Sequence, residues 1–216
     1  MGVTKSWSSE WFSKNKAQNA QFFVEDIQLR AIVEKKFPRS WIAKVVIRKN
    51  DKEAELVIFS AKPAVLMWPN GAKIQAFQKE LEERFKKPFK MMVKDIKTPE
   101  LSAKVMGEFA ASQLEARMPF RKVCKTVVQR VMEKGAMGVK IKVWWRLWGV
   151  DLSRTEKFSQ GRVPLQTLRA DIDYHEGTAL TKYGILWIKV RIAKSEQTAQ
   201  AKILTTQQKA ELLKIS

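Results

Sequence analysis

Between Arg117 and Tyr174, one stretch sets the terms for the whole chain. It opens with Pro119-Phe120-Arg121-Lys122-Val123-Cys124-Lys125, where helical spacing puts Phe120, Cys124, Val127, Val128 and Val131 on one side. Arg121, Lys122 and Lys125 stand three and four apart on the other side, with no acid between them. A strand follows at Gly138 to Val143, then an aromatic turn, Trp144 to Gly149, and the segments Asp151–Glu156, Gly161–Leu165 and Thr167–Tyr174. Cations recur through helix, strand and loop alike, among them Arg146, Arg154, Arg162 and Arg169. Such a stretch must fold so as to leave a broad positive surface. That surface suits phosphates better than a pocket closing over a small substrate.

The rest of the chain carries the same bias. Lys and Arg number 41 against 22 acids, a net charge of +19, which raises the energy of an isolated compact state by self-repulsion. A polyanionic partner is the natural counterweight, with nucleic acid the first candidate and an anionic membrane surface the second. The 216 residues, 45% of them hydrophobic, allow one large domain or two small ones with real cores. No apolar run approaches the ~18 residues that span a bilayer. Met1 to Ser6 has no apolar stretch before a cleavage site, and fits only loosely a myristoylation pattern. Cys124 is the one cysteine, so no internal disulfide forms, which fits a reducing cytoplasm.

Along the chain, residues 1–20 read as a polar arm whose Trp7, Trp11 and Phe12 need something to pack on. A helix should bury Phe22, Phe23, Ile27, Ile32 and Val33, and a hairpin should join Ile42–Arg48 to Glu55–Phe59 across Lys49-Asn50-Asp51-Lys52. Ala61 to Gly71 then leads to a helix with Ile74, Phe77, Leu81 and Phe85 at helical spacing, and Phe89, Met91 and Val93 alternate as a third strand. Thr98-Pro99 signals a new helix start, a capping hydroxyl followed by proline. Two helices at about 99–116 and 119–133, then an antiparallel sheet from 138–193, complete an α/β (α+β) chain. The expected division is an arm (1–20), an RNA-binding domain (21–97), a second α/β domain (98–193) and a polar tail (194–216) with a possible short helix near Gln207–Ile215.

Two further constellations bear on chemistry. Met67-Trp68-Pro69-Asn70-Gly71-Ala72 lies between a strand and a helix, where RNA-binding KH modules place a Gly-x-x-Gly loop; here Trp68, Pro69, Asn70 and Gly71 make half of that pattern, between Lys62 and Lys73. Asp171, Asp173 and His175 share one face of a strand with Arg169, which reads as a salt-bridged strand more readily than as the metal site of a nuclease. Cys124 reads as a buried structural thiol. No Walker loop or Ser-His-Asp arrangement appears, so no cofactor, metal or bond-breaking chemistry is expected.

The chain resembles the bacterial family of small-subunit ribosomal protein number three. The likeness rests on Ser6-Trp7-Ser8-Ser9-Glu10-Trp11-Phe12, Phe120-Arg121-Lys122, Gly135 to Ile141, Arg146-Leu147, Ser153-Arg154-Thr155-Glu156, Gly161 through Tyr174 and Tyr183-Gly184. The resemblance implies a type II KH domain followed by a small domain of two helices on an antiparallel sheet. It implies a structural, non-enzymatic role in the cytoplasm, within the ribosome. The implied partners are small-subunit rRNA, neighbouring head proteins and mRNA, with no membrane or small-molecule substrate. In that family the basic helix lines the tunnel by which messenger enters and helps to open structured messenger, and Arg121, Lys122 and Lys125 fall on those positions. A free KH-type regulator is the competing class.

The sequence departs from the family pattern in three ways. The family's basic, Gly-rich first segment is either missing or not included in the sequence, and Pro69-Asn70 replaces basic residues in the KH loop. Trp41, Trp68, Trp144, Trp145, Trp148 and Trp187 stand where the family has glycine. Trp144, Trp145 and Trp148 around Arg146 could be a platform for bases. An indole nevertheless suits neither a positive φ nor a close backbone approach. The alternative expectation is that UGA codons are read as glycine. Counting those six as glycine would raise the total from nine to fifteen, near the ordinary ~7%.

Overall fold

The structure, a computed structural model, describes residues 7–13, 15–37, 40–50, 53–67 and 71–196. The chain divides into two compact units, Trp7–Pro99 and the part from Glu100 onward. The first contains β1 (Ser9–Glu10), α1 (Lys16–Lys36), β2 (Ile42–Lys49), β3 (Ala54–Ser60), α2 (Pro63–Met67), α3 (Ala72–Phe85) and β4 (Phe89–Asp95). Its sheet has the order β1-β2-β3-β4, with β2 and β3 antiparallel and the outer pairs parallel. From α1 to β4 this is the helix-strand-strand-helix-helix-strand order of a type II KH domain. Its core gathers Leu29 and Val33, Ile47, Leu56 and Ile58 from the central strands, Leu66 from α2, and Phe77 and Leu81 from α3. Burying each of these stabilises the unit by about 1.5–3 kcal/mol before entropy is counted.

Three local expectations change here. Part of the N-terminal arm belongs to the folded unit: Ser9 and Glu10 pair with Ile47 and Arg48, Trp11 meets the Phe22 ring edge-on at 5.7 Å, and α1 begins at Lys16. Trp7 and Phe12 remain exposed. On α1 it is Phe22, Asp26, Leu29 and Val33 that are buried, while Phe23 and Ile27 face solvent. The buried side is fixed by a polar contact that periodicity does not report: the Ser9 hydroxyl donates to Asp26, and Arg30 donates to the Ser8 and Val45 carbonyls at 3.0 and 2.8 Å. The third change is the short helix α2 before the KH loop, five residues too few to show a helical period.

After a 3-10 turn (Pro99–Leu101) at the boundary, the second unit contains α4 (Ala103–Glu115), α5 (Phe120–Glu133), β5 (Gly138–Trp145), β6 (Arg154–Gly161), β7 (Ala170–Thr181) and β8 (Gly184–Glu196). The sheet is antiparallel throughout, ordered β6-β5-β8-β7. The helices cover one face. Val123, Cys124, Val127 and Val131 of α5 join Val139, Ile141 and Val143 of β5 and Ile188, Val190 and Ile192 of β8 in one core. At the β5–β6 margin Gly138 and Gly161 let backbones close: a Cβ on Gly138 would lie 2.4 Å from the Arg162 carbonyl oxygen, and Gly161 has φ +73°.

Thr98-Pro99 does not open the long helix; it leads only into the 3-10 turn, and α4 starts at Ala103. No side chain of the Ser102 cap bonds the helix; Asp173 of β7 accepts the Ala103 N–H at 3.0 Å instead. Trp144 and Trp145 belong to β5, so the aromatic turn begins later, with a 3-10 turn at Leu147–Gly149. Strand β8 runs on to Glu196, past the expected start of the tail, and the suggested helix at Gln207–Ile215 lies outside the described residues.

Candidate nucleic-acid interface

Helix α5 carries the candidate site. Its valines and Phe120 pack inward, and Arg121, Lys122 and Lys125 stand exposed on the opposite side. Among the described residues, none of the ion pairs involves these three. Pro119 at the N-cap supplies no capping side chain, and the first turn holds cations where the helix dipole favours anions. Free N–H groups, the positive dipole end and two cations therefore converge on one spot. Phosphate relieves all three frustrations at once.

Strand β6 adds to this cluster. The Arg154 guanidinium lies 5.7 Å from the Phe120 ring centre, and so does that of Arg121, so one buried phenyl ring positions a cation from each element. Behind the helix start lies a groove of about 370 Å³ lined by Arg117, Phe120, Arg146, Trp148, Lys182 and Tyr183, among others. Arg146 is held there by its own loop, donating to the Val150 carbonyl at 3.1 Å and pairing with Asp151 at 3.2 Å. Arg117 and Lys182 were missed in the sequence, because each sits in a turn with no periodic context.

The other nominated residues lie elsewhere. Arg162 is exposed beside the β5–β6 margin, and Arg169 is exposed in the turn before β7. In the first unit, Lys62 places its ammonium 4.1 Å from the centre of the Trp41 ring. Lys73 is exposed in the first turn of α3, and Gly71 caps that helix with φ 78°. Trp68, Pro69 and Asn70 lie outside the described residues.

Asp173 and His175 share the face turned to α4, and Asp171 lies at the irregularity between Ala170 and Ile172 where the β7–β8 register shifts. Asp173 caps that helix and pairs with Lys194 at 3.4 Å, and the His175 ring packs against Gly107, where a Cβ would come within 2.5 Å of it. The strand is salt-bridged through Asp173, and the same residue also joins β7 to α4. Among the described residues no three His, Cys, Asp or Glu side chains gather to hold a metal. Cys124 is fully buried, and burial pushes its thiol up to about 12, the reverse of what a nucleophile needs.

The tryptophans divide into two kinds. Trp41, Trp145 and Trp148 have φ of 51°, 108° and 61°, three of the five non-glycine residues with positive φ among those described. Trp144 and Trp187 are an extended cross-strand pair, stacked with ring centres 6.1 Å apart. So Trp144, Trp145 and Trp148 do not form one platform around Arg146.

Comparison with known proteins agrees with this architecture. The family described as "Ribosomal protein S3, C-terminal domain" matches residues 110–192, from α4 through most of β8. Relatives extend over both units. The small ribosomal subunit protein uS3 of Persephonella marina is 40% identical over 203 residues, 94% of this chain and 89% of the relative. Those of Coxiella burnetii and Desulforamulus reducens are each 38% identical, covering 91% and 94% of this chain and 86% and 91% of their own. All three are named for a ribosomal subunit rather than for a reaction. The chain belongs to the family of the small ribosomal subunit protein uS3.

Proposed function

We propose that this chain is a structural constituent of the small ribosomal subunit, working in the cytoplasm within the ribosome, and that it binds small-subunit rRNA. Its second task is to grip incoming mRNA through the α5 row. The observation that carries the reading is the exposed, unpaired line Arg121, Lys122 and Lys125 at an uncapped helix start, joined by Arg154. Neighbouring head proteins complete the set of partners.

The mechanism is electrostatic. Lys and Arg replace counterions on the RNA backbone, so affinity falls steeply with salt. A fixed row of cations beside a messenger favours the separated strand over the duplex when it binds single-strand phosphates in a geometry the helix does not offer. Arg162 and Arg169 extend the phosphate contacts of this unit. Lys62, Lys73, Gly71 and the Trp68-Pro69-Asn70 loop would supply those of the KH unit, where the α3 N–H groups and two lysines attract a backbone but the loop itself carries no charge.

The test replaces Arg121, Lys122 and Lys125 together by alanine. All three are exposed, so the unit keeps its fold and the subunit assembles. Translation of hairpin-containing messages should slow several-fold while hairpin-free messages are read normally. Equal loss on both kinds of message would refute the strand-opening role. Loss of the protein from salt-washed subunits would refute the separation of docking from messenger grip.

A further inference from the structure

The helices cover one face of the β6-β5-β8-β7 sheet, and the residues of its other face stand in register. Lys157, Lys142, Lys189 and Glu176 form one row across all four strands. The next row is Ser159, Lys140, Arg191 and Tyr174, and the third is Thr155, Trp144, Trp187 and Thr178. Five cations thus share this face with Glu176 as the acid of the three rows. Strands lie about 4.8 Å apart, so Lys157, Lys142 and Lys189 are like charges side by side, an arrangement that destabilises a sheet unless something neutralises it.

Among the described residues, internal neutralisation is incomplete. Glu176 pairs with Lys189 at 3.3 Å and also accepts the Tyr174 hydroxyl at 2.8 Å, a bond that holds its carboxyl below the ordinary range. Lys142 and Lys189 lie 5.0 and 4.8 Å from the centre of the Trp144 ring, and Arg191 lies 5.6 Å from that of Tyr174. Rings hold these cations in place without cancelling their charge. Lys157 is exposed, and no ion pair among the described residues engages it, Lys140 or Lys142.

We propose that this open sheet face is a second RNA-binding surface, distinct from the α5 row, which holds the ribose-phosphate backbone on its rows of cations and a base against Tyr174. It rests on the reading of the chain as an RNA-binding protein and adds a place to it. Charge complementarity selects the partner: a flat positive face interleaved with aromatic rings matches phosphates and bases together, whereas an acidic peptide would use only the charges.

The test measures binding of a labelled single-stranded RNA to the full chain as a function of salt. Lys140, Lys142 and Lys157 are changed together to threonine, which suits exposed strand positions, and in a second protein together to arginine. The threonine protein should bind about tenfold or more weakly at low salt, and its salt slope should be shallower by about 2, as for three lost phosphate contacts. The arginine protein should bind like the parent. In the parent itself, RNA should shield these three lysines from acetylation, a readout that does not depend on any variant folding. Unchanged slope and unshielded lysines, with the α5 triple variant weakened, would overturn the sheet surface alone. A parent that binds no RNA at low salt would overturn the underlying reading. Polyglutamate competing as well as RNA of equal charge would make the occupant an acidic protein and overturn the proposal.

Discussion

At the scale of single residues the backbone angles of the tryptophans matter most. A side chain held in the left-handed region costs roughly 1–2 kcal/mol, and an indole there gains little unless its ring is well used. Trp148 (φ 61°, ψ 26°) is 59% exposed and has the lesser burial to offset the strain, whereas Trp145 (φ 108°) is 44% exposed and its indole lies against Gly184. Trp41 differs because Lys62 sits over its ring, a contact worth about 0.5–1 kcal/mol at an exposed site. Trp148→Gly and Trp145→Gly should therefore stabilise the chain, the first by about 1 kcal/mol and the second by less, and Trp41→Gly least; thermal melts of the three variants check the order. Destabilisation by the first two would mean that the indoles are built into the fold. The same angles support the reading of UGA as glycine at these three positions. The argument does not extend to Trp144 and Trp187, whose extended backbones accept any residue. The intact mass of protein from its native host settles all six together.

At the scale of elements, α4 is the instructive case. Thr98-Pro99 looks like a helix start, yet the cap comes from Asp173, seventy residues away on β7. Asp173→Ala should cost about 1–2 kcal/mol, and Asp173→Asn less, because an amide oxygen still accepts the Ala103 N–H. Chemical denaturation of the three proteins tests this, and equal loss in both variants would mean that charge, not capping, is what matters. Legibility follows the same line between local and distant causes. Helix α5 was readable because its apolar and basic sides alternate with helical period and nothing remote overrides them. The face of α1 was misread because Ser9 and Arg30 make Asp26 a buried residue, while Phe23 and Ile27 are left outside. The rows on the open sheet face were invisible for a stronger reason. Lys142, Lys157 and Lys189 become neighbours only once the register of three strands is known.

At the scale of the whole molecule, each unit has its own apolar core, and the charge of +19 is the property they share. Two electrostatic effects with opposite salt dependence follow. In the free chain, surplus cations repel one another, and added salt shortens the range of that repulsion from about 30 Å at 0.01 M to about 10 Å at 0.1 M. Salt also weakens surface pairs such as Lys36–Glu80 and Arg48–Glu10, but exposed pairs contribute only about 0–1 kcal/mol each and are too few to outweigh the excess. Raising KCl from about 0.02 M to 0.5 M should therefore raise the melting temperature of the free protein. With saturating RNA the sign reverses: the bound chain starts higher, because ligand binding stabilises the native state, and falls as counterions compete for the phosphates. The two curves converge at high salt. A free chain whose melting temperature dropped with salt would show that its charges are already balanced within the fold. The surplus would then not be what recruits the RNA.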